Sequence, residues 1–224
     1  FVTFGQPIDL KHTLDCNAPD WHKSVTRGAE EPLRPNWLTP VVNGLAERVM
    51  QGINDSAAAN SVNLTALALL SSEHHALTKE ELLAQLEVYL GVLKEVPYST
   101  DISVPKETPE ELWQQALRTD KFKVESDTMG EVISLERMSA IAMTYYRNNI
   151  LHMMVVPGII ASIIMAKKRV SVDEIVERTQ AIYPMLKAEL YLSHTAEDIP
   201  LWVEALCEEL ARQQLITREG SDCV

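Results

Sequence analysis

The sequence has few of the residues that build cysteine-based or phosphate-binding sites. Its 224 residues include three widely spaced cysteines, Cys16, Cys207 and Cys223, and no CxxC pair. Such a set predicts neither a disulfide framework nor a structural zinc site, and it favours a reducing compartment. The eight glycines are scattered singly, which excludes a glycine-rich phosphate-binding loop.

Positive charge is also scarce. The chain carries 20 Lys and Arg residues against 32 Asp and Glu residues, a formal net charge of −12. Nucleic acid is therefore not an expected partner, because its binding needs clustered cations that neutralise phosphates. The one tight basic cluster, Lys167, Lys168 and Arg169, directly follows an apolar segment.

The histidines do not form a catalytic pattern. Acyl transfer to a hydroxyl group uses a histidine base that an acidic residue orients. A histidine five positions before an aspartate is a compact way to build this pair, and none of the six histidines has that spacing. His75 with Glu80 comes nearest, but Glu80 belongs to the start of a predicted helix. We therefore predict no catalytic residue, no metal site and no cofactor in this chain.

The hydrophobic pattern predicts a mostly α fold. Thr78 and Thr108 are each followed three residues later by glutamate, and these capping boxes predict the starts of two helices. Ser171 predicts the start of another helix, through about Leu192, which Pro184 is expected to kink or break. Alternating residues predict one short β-hairpin, at 122–126 and 130–135.

The chain divides into three predicted segments. Residues 1–10 alternate as in an edge strand, which needs a partner strand. Residues 11–36 are polar and contain prolines, and they predict an irregular linker. Residues 37–224 predict a helical domain, in which 171–220 has the element order of a winged-helix unit. The sequence shows no internal repeat.

An apolar segment from Ile150 to Ala166 holds no charged residue. It is shorter than the roughly 20 apolar residues of a membrane span and follows Arg147. We favour a buried or half-buried helix pair that is broken at Pro157. A membrane span and an interfacial helix remain open as alternatives. The interfacial helix would turn four isoleucines toward lipid: Ile159, Ile160, Ile163 and Ile164.

The candidate substrate-binding site is the polar cluster in front of this segment: Tyr145, Tyr146, Arg147, Asn148 and Asn149. On a continuous helix Asn148 would share a face with His152. A buried arginine needs an anionic partner. Two interpretations stay open: Arg147 ties its helix to a protein carboxylate, or the cluster forms one wall of an anion-binding pocket.

The sequence also resembles a known family. Seven segments in order resemble bacterial glycerol-3-phosphate acyltransferase: FVTFGQPIDL, LRPNWLTPVVNGLAERVMQGIN, VPYSTDISVP, KFKVESDTMGEVISL, MTYYRNNILHMMVVP, YPMLKAELYL and RQQLITREG. TYYRNN is also similar to the mitochondrial glycerol-3-phosphate and peroxisomal dihydroxyacetone-phosphate acyltransferases. The family's HxxxxD block and its other catalytic blocks do not occur here, so the resemblance implies the C-terminal region downstream of them.

The resemblance implies that residues 1–10 are the last strand of an incomplete α/β acyltransferase domain. It implies a supporting, non-catalytic part of the enzyme that transfers a fatty acyl group from acyl-CoA or acyl-carrier protein to glycerol-3-phosphate in phospholipid synthesis. It further implies peripheral attachment to the cytoplasmic face of the bacterial inner membrane. The alternative is a non-catalytic helical or winged-helix module that binds other proteins.

Overall fold

A computed structural model describes residues 3–24, 34–128 and 130–224. Within them the fold is mostly α-helical with two small antiparallel sheets, which confirms the predicted fold class. The helices are α1 Leu10–Asn17, α2 Leu38–Asp55, α3 Ser61–Ser71, α4 Lys79–Glu95, α5 Pro109–Leu117, α6 Arg137–Asn148, α7 Leu151–Lys167, α8 Val172–Leu190 and α9 Ile199–Arg212. The strands are β1 Ala76–Thr78, β2 Lys123–Asp127, β3 Gly130–Ser134, β4 Val170–Ser171, β5 Arg218–Glu219 and β6 Asp222–Cys223. Two short 3-10 helices lie at Trp21–Ser24 and Glu73–His75.

One prediction for the N-terminal segments is wrong in part, and the other stays a prediction. Residues 3–9 pair with no strand among the described residues, and the predicted edge strand was assigned to a domain that is incomplete in this chain. Part of the predicted linker is the helix α1, which Asp9 caps by accepting a hydrogen bond from the His12 backbone N–H (3.0 Å). Residues 1, 2 and 25–33 lie outside the described residues. The assignment of residues 1–10 to another domain stays a prediction.

The fold contains a structural repeat that the sequence analysis missed. The first unit runs in the order α3, β1, α4, α5, β2, β3, and the second in the order α7, β4, α8, α9, β5, β6. In each unit the first strand pairs antiparallel with the third, and the third with the second. The sheet orders β1-β3-β2 and β4-β6-β5 are therefore equivalent. The predicted hairpin is confirmed as β2 and β3, with β1 as an additional strand.

The two units begin with the same local signal. Thr78 and Ser171 each end the first strand of a unit and cap the helix that follows. The Thr78 hydroxyl accepts a hydrogen bond from the Glu81 N–H, and the Ser171 hydroxyl accepts one from the Glu174 N–H, both at 3.2 Å. The second unit has the element order predicted for residues 171–220, and the first unit shares it. The winged-helix assignment itself stays a prediction.

The two units share one hydrophobic core. Buried side chains from α3, α4, α5 and β3 are continuous with those of α7, α8 and α9. The helix α6 connects the units and buries Ala140 and Met143 while packing on α3. The last turn of α2 joins the second unit, since the Asn54 side-chain amide donates a hydrogen bond to the Leu190 carbonyl (2.7 Å). The repeats therefore fold as one body.

Helix α7 takes up most of the apolar segment. It continues through Pro157, so the break predicted there is wrong. The helix α8 likewise continues through Pro184, which excludes a break at that residue, and the alternative of a kink stays a prediction. At Pro157, packing of the buried neighbours Val156 and Ile160 outweighs the loss of one backbone hydrogen bond. The interfacial arrangement is also wrong, because Ile160 and Ile164 are buried in the protein core. Among the described helices, none alone has the length and apolar composition to cross a membrane, and α6 with α7 meets those criteria only as a pair bent by 96°.

Candidate functional site

The predicted polar cluster lies at the sharp bend between α6 and α7. The chain turns at Asn149 and Ile150, where the Ile150 N–H donates a hydrogen bond to the Arg147 carbonyl (3.1 Å). The Ile150 side chain is fully buried and anchors the bend in the core. Because the bend separates them, Asn148 and His152 belong to different helices, and the predicted shared face is wrong.

Arg147 has no carboxylate partner within the described part of the chain. Its side chain is half-buried, and its guanidinium donates two hydrogen bonds to the Asn148 side-chain oxygen, from Nε at 3.2 Å and from Nη2 at 2.9 Å. The predicted tie to a protein carboxylate is therefore not found among these residues. The Asn148 amide oxygen accepts hydrogen bonds from the guanidinium but carries no charge, so no described residue neutralises Arg147.

The two tyrosines of the cluster face away from the protein. Tyr145 is 71% exposed and Tyr146 is 39% exposed. Their rings meet edge to face with centroids 5.9 Å apart. With Met138 and Ile141, Tyr145 follows a spacing of three and four residues, so α6 carries an apolar stripe on its exposed side.

The two asparagines of the cluster line a separate, open polar cavity. Its volume is about 850 Å³, and its walls are residues 3–8, the C-terminal half of α2 and the loop that follows it. Arg48 and Asp55 are its charged lining groups, and the Arg48 guanidinium donates to the Thr13 hydroxyl at 3.3 Å. The structure thus brings Asn148 and Asn149 together at this cavity and places Tyr145 and Tyr146 outside it.

A cluster of aromatic and histidine side chains lies beside Asn54, and the sequence analysis did not find it. Tyr98 contacts the rings of His152 and His194, with centroids 5.0 and 5.1 Å apart. His194 stacks on Trp202 at 4.3 Å. The Tyr98 hydroxyl accepts hydrogen bonds from the N–H (2.8 Å) and the hydroxyl (3.1 Å) of Ser193. These residues come from distant parts of the chain, so no local spacing could have indicated the cluster.

The two histidines of this cluster are held neutral by burial. Desolvation lowers the pKa of His152 to about 4, against smaller opposing effects of the Asn54 carbonyl and the Asp55 carboxylate. Desolvation also lowers the pKa of His194. The His152 Nε2 lies 3.1 Å from the Asn54 carbonyl, which makes this nitrogen the hydrogen-bond donor. His152 therefore connects α7 to α2 and to Tyr98, and His194 connects Tyr98 to Trp202 of α9, which are structural tasks.

The arrangement offers few options for chemistry. Within residues 3–24, 34–128 and 130–224, no group of three or more His, Cys, Asp or Glu side chains is placed to hold a metal ion. The histidines outside the buried cluster are exposed, and the two that lie near a carboxylate, His22 and His74, do so at 3.9 and 3.6 Å on the surface.

Comparison with known proteins identifies the family. The family described as the glycerol-3-phosphate acyltransferase C-terminal region matches residues 1–223. The chain belongs to this family. No solved structure matches the chain. Membership of the acyltransferase C-terminal region confirms the resemblance noted in the sequence and connects this fold to acyl transfer onto glycerol-3-phosphate.

Proposed function

We propose that this chain is a supporting, non-catalytic region of glycerol-3-phosphate 1-O-acyltransferase. In this role it assists transfer of a fatty acyl group from acyl-CoA or acyl-carrier protein to glycerol-3-phosphate during phospholipid synthesis. The observation that carries the proposal is the match to the family's C-terminal region over residues 1–223. The histidine geometry supports it, because His152 is buried against the Asn54 carbonyl, His194 packs half-buried between Tyr98 and Trp202, and the other histidines are exposed.

The cluster at the α6–α7 bend is the part of this region that we assign to substrate. Arg147 carries a positive charge that no carboxylate of the described chain balances. The amides of Asn148 and Asn149 line the neighbouring polar cavity and can donate hydrogen bonds. A guanidinium beside neutral donors suits a phosphate, which both glycerol-3-phosphate and the acyl donors carry. Tyr145 and Tyr146 would then lie next to the phosphate-binding residues but outside the cavity.

We further propose that the parent enzyme attaches peripherally to the cytoplasmic face of the bacterial inner membrane. The supporting feature is the exposed apolar stripe of Met138, Ile141 and Tyr145 on α6. An apolar helix face can lie in the headgroup region without crossing the bilayer. Alkaline carbonate should therefore release the enzyme from membranes. Retention after carbonate together with protease protection of residues 150–166 would contradict peripheral attachment.

A module that binds other proteins is the second candidate. The observation that favours it is the repeated helix, strand, helix, helix, hairpin order, which presents two similar units in one body. The net charge of −12 would direct such a module to proteins rather than to nucleic acid.

One experiment separates the two candidates. The purified chain is assayed for incorporation of labelled glycerol-3-phosphate into lipid, alone and mixed with the part of the parent enzyme that carries the HxxxxD block. The supporting role predicts no activity alone and restored activity in the mixture. Incorporation above background by the chain alone would refute the non-catalytic role, and a catalytic part that is fully active by itself would favour the protein-binding module.

A further inference from the structure

An apolar groove between α7 and α8 is the feature that the proposed function leaves unexplained. Its volume is about 850 Å³, within the range of pockets that hold small ligands. One face of α7 forms a wall from Leu151 to Lys167, and α8 contributes Ala181 and Ile182. From the helical rise, this wall is about 24 Å long. One acyl chain spans about 15 Å, half of the hydrocarbon core of a bilayer. The groove is therefore long enough for one extended chain and a polar head group.

Small residues line the middle of the groove. Gly158, Ser162 and Ala166 follow each other at intervals of four residues on the groove face of α7. A Cβ atom added at Gly158 would meet no atom within 4 Å, so the space beside this residue is open. The apolar wall and this open space together form a groove that is open to solvent along its length.

Cationic groups lie at one end of the groove. Lys167 and Arg178 line it there, and both contact the same carboxylate oxygen of Glu174, at 3.1 and 2.7 Å. Two cations that share one carboxylate leave one net positive charge, in a chain whose net charge is −12. An apolar groove that ends in excess positive charge is complementary to a lipid with an anionic head group.

We propose that this groove binds a single-chain phospholipid, with its acyl chain along α7 and its phosphate at Lys167 and Arg178. The choice of a monoacyl phosphate rests on the proposed function, since acylation of glycerol-3-phosphate produces 1-acylglycerol-3-phosphate. The groove would hold this product, or return it to the membrane. It is a separate site from the polar cavity that Asn148 and Asn149 line. Lipid binding is measured on the chain alone and does not require acyltransferase activity.

The test measures binding of 1-palmitoylglycerol-3-phosphate to the 224-residue chain by calorimetry below the critical micelle concentration. Gly158→Leu should weaken binding on the order of 100-fold, because its side chain displaces about four methylene groups of the lipid. Gly44→Leu is the matched control, since Gly44 also lies in a helix, with no atom within 4 Å of an added Cβ, and is remote from the groove. The control should bind as the unchanged chain does. Circular dichroism and melting check the folding of each variant, and Ser162→Leu serves as a second groove-filling change.

The head group is tested separately. Arg178→Gln should weaken binding of the phosphate lipid by about tenfold, as for loss of one charged hydrogen bond. Glycerol-3-phosphate without a chain should not bind the groove, and palmitate and 1-palmitoylglycerophosphocholine should bind more weakly than the phosphate lipid. Equal affinity for all three chain-bearing lipids would overturn the head-group assignment.

Two other results would overturn the proposal. The first is unchanged lipid affinity in folded Gly158→Leu and Ser162→Leu. The second is a concentration-dependent dimer in ultracentrifugation that Gly158→Leu abolishes, which would show that a helix of a second copy occupies the groove. The mixing assay of acyl transfer tests the proposed function separately. A chain that binds no lipid could still restore activity in that assay, so the two proposals can fail independently.

Discussion

Acidification should destabilise this protein through His152. The side chain is 3% exposed, and burial lowers its pKa from 6.5 to about 4 in the folded state. In the unfolded chain the ring regains its ordinary pKa, so between these two values only the unfolded state binds the proton. Stability therefore falls as the pH falls from 6.5 to about 4, and it is unaffected by this group above 6.5. At 1.36 kcal/mol per pKa unit, the loss amounts to about 3 kcal/mol.

The measurement is the free energy of unfolding in urea at a series of pH values from about 7.5 to about 4.5. His152→Gln keeps a group that can donate to the Asn54 carbonyl but does not titrate, so it should remove most of the slope assigned to this residue. It should also lower stability at neutral pH by about 1 kcal/mol through the lost edge contact with Tyr98. His12→Gln is the control, because His12 is exposed on α1. A His152→Gln protein with the same slope as the unchanged protein would refute the reasoning. His194, whose pKa burial also lowers, should account for part of any slope that remains.

Three further predictions follow from individual contacts. Thr78→Ala and Ser171→Ala should each lower the free energy of unfolding by about 1 kcal/mol, measured in urea, because each removes a helix cap; no change in either would mean that the repeated caps do not stabilise the units. Tyr98→Phe should cost about 1–3 kcal/mol in the same assay, since it removes the acceptor of two part-buried hydrogen bonds, and a neutral result would show that water replaces the hydroxyl. In the full-length enzyme, Arg147→Ala should lower kcat/KM for glycerol-3-phosphate by an amount equivalent to about 2–4 kcal/mol with little change in Tm, whereas Arg137→Ala on the same helix should change neither. A lower Tm with unchanged kinetics in Arg147→Ala would instead indicate a structural anion.

The start of each unit's second helix was predictable from the sequence because its determinants are local. Thr78 with Glu81 and Ser171 with Glu174 interact within a single helical turn, so four consecutive residues decide where α4 and α8 begin. The hairpin at 123–134 was predictable for the same reason, since alternation and Gly130 lie close together in the chain. The repeat was missed because it is recognised by the order in which its strands pair, which the sequence does not show. The local sequence signal that the two units share is the strand that ends in a helix cap.

The family was also predictable, because an ordered series of segments carries it and folding is not needed to recognise it. The arrangement of the candidate cluster was predictable only in part, and its role in binding substrate stays a prediction. The sequence placed five polar residues together in one cluster, and the structure divides them: Asn148 and Asn149 line the polar cavity while Tyr145 and Tyr146 face outward. The position of the bend decides this division. A bend at Pro157 would have kept the cluster on one helix with His152.

The sequence by itself determined the helical class, the caps, the hairpin and the family, all of which depend on neighbouring residues or on their order. Only the tertiary structure decided where the apolar segment turns and which residues meet in the core. Ile150, fully buried, holds the bend at Asn149, and packing keeps α7 helical through Pro157. Tyr98, His152, His194 and Trp202 meet although they are far apart in the chain. Such contacts depend on how the two units pack into one core. The free energy of this packing is summed over the whole molecule and is not encoded in any single stretch of sequence.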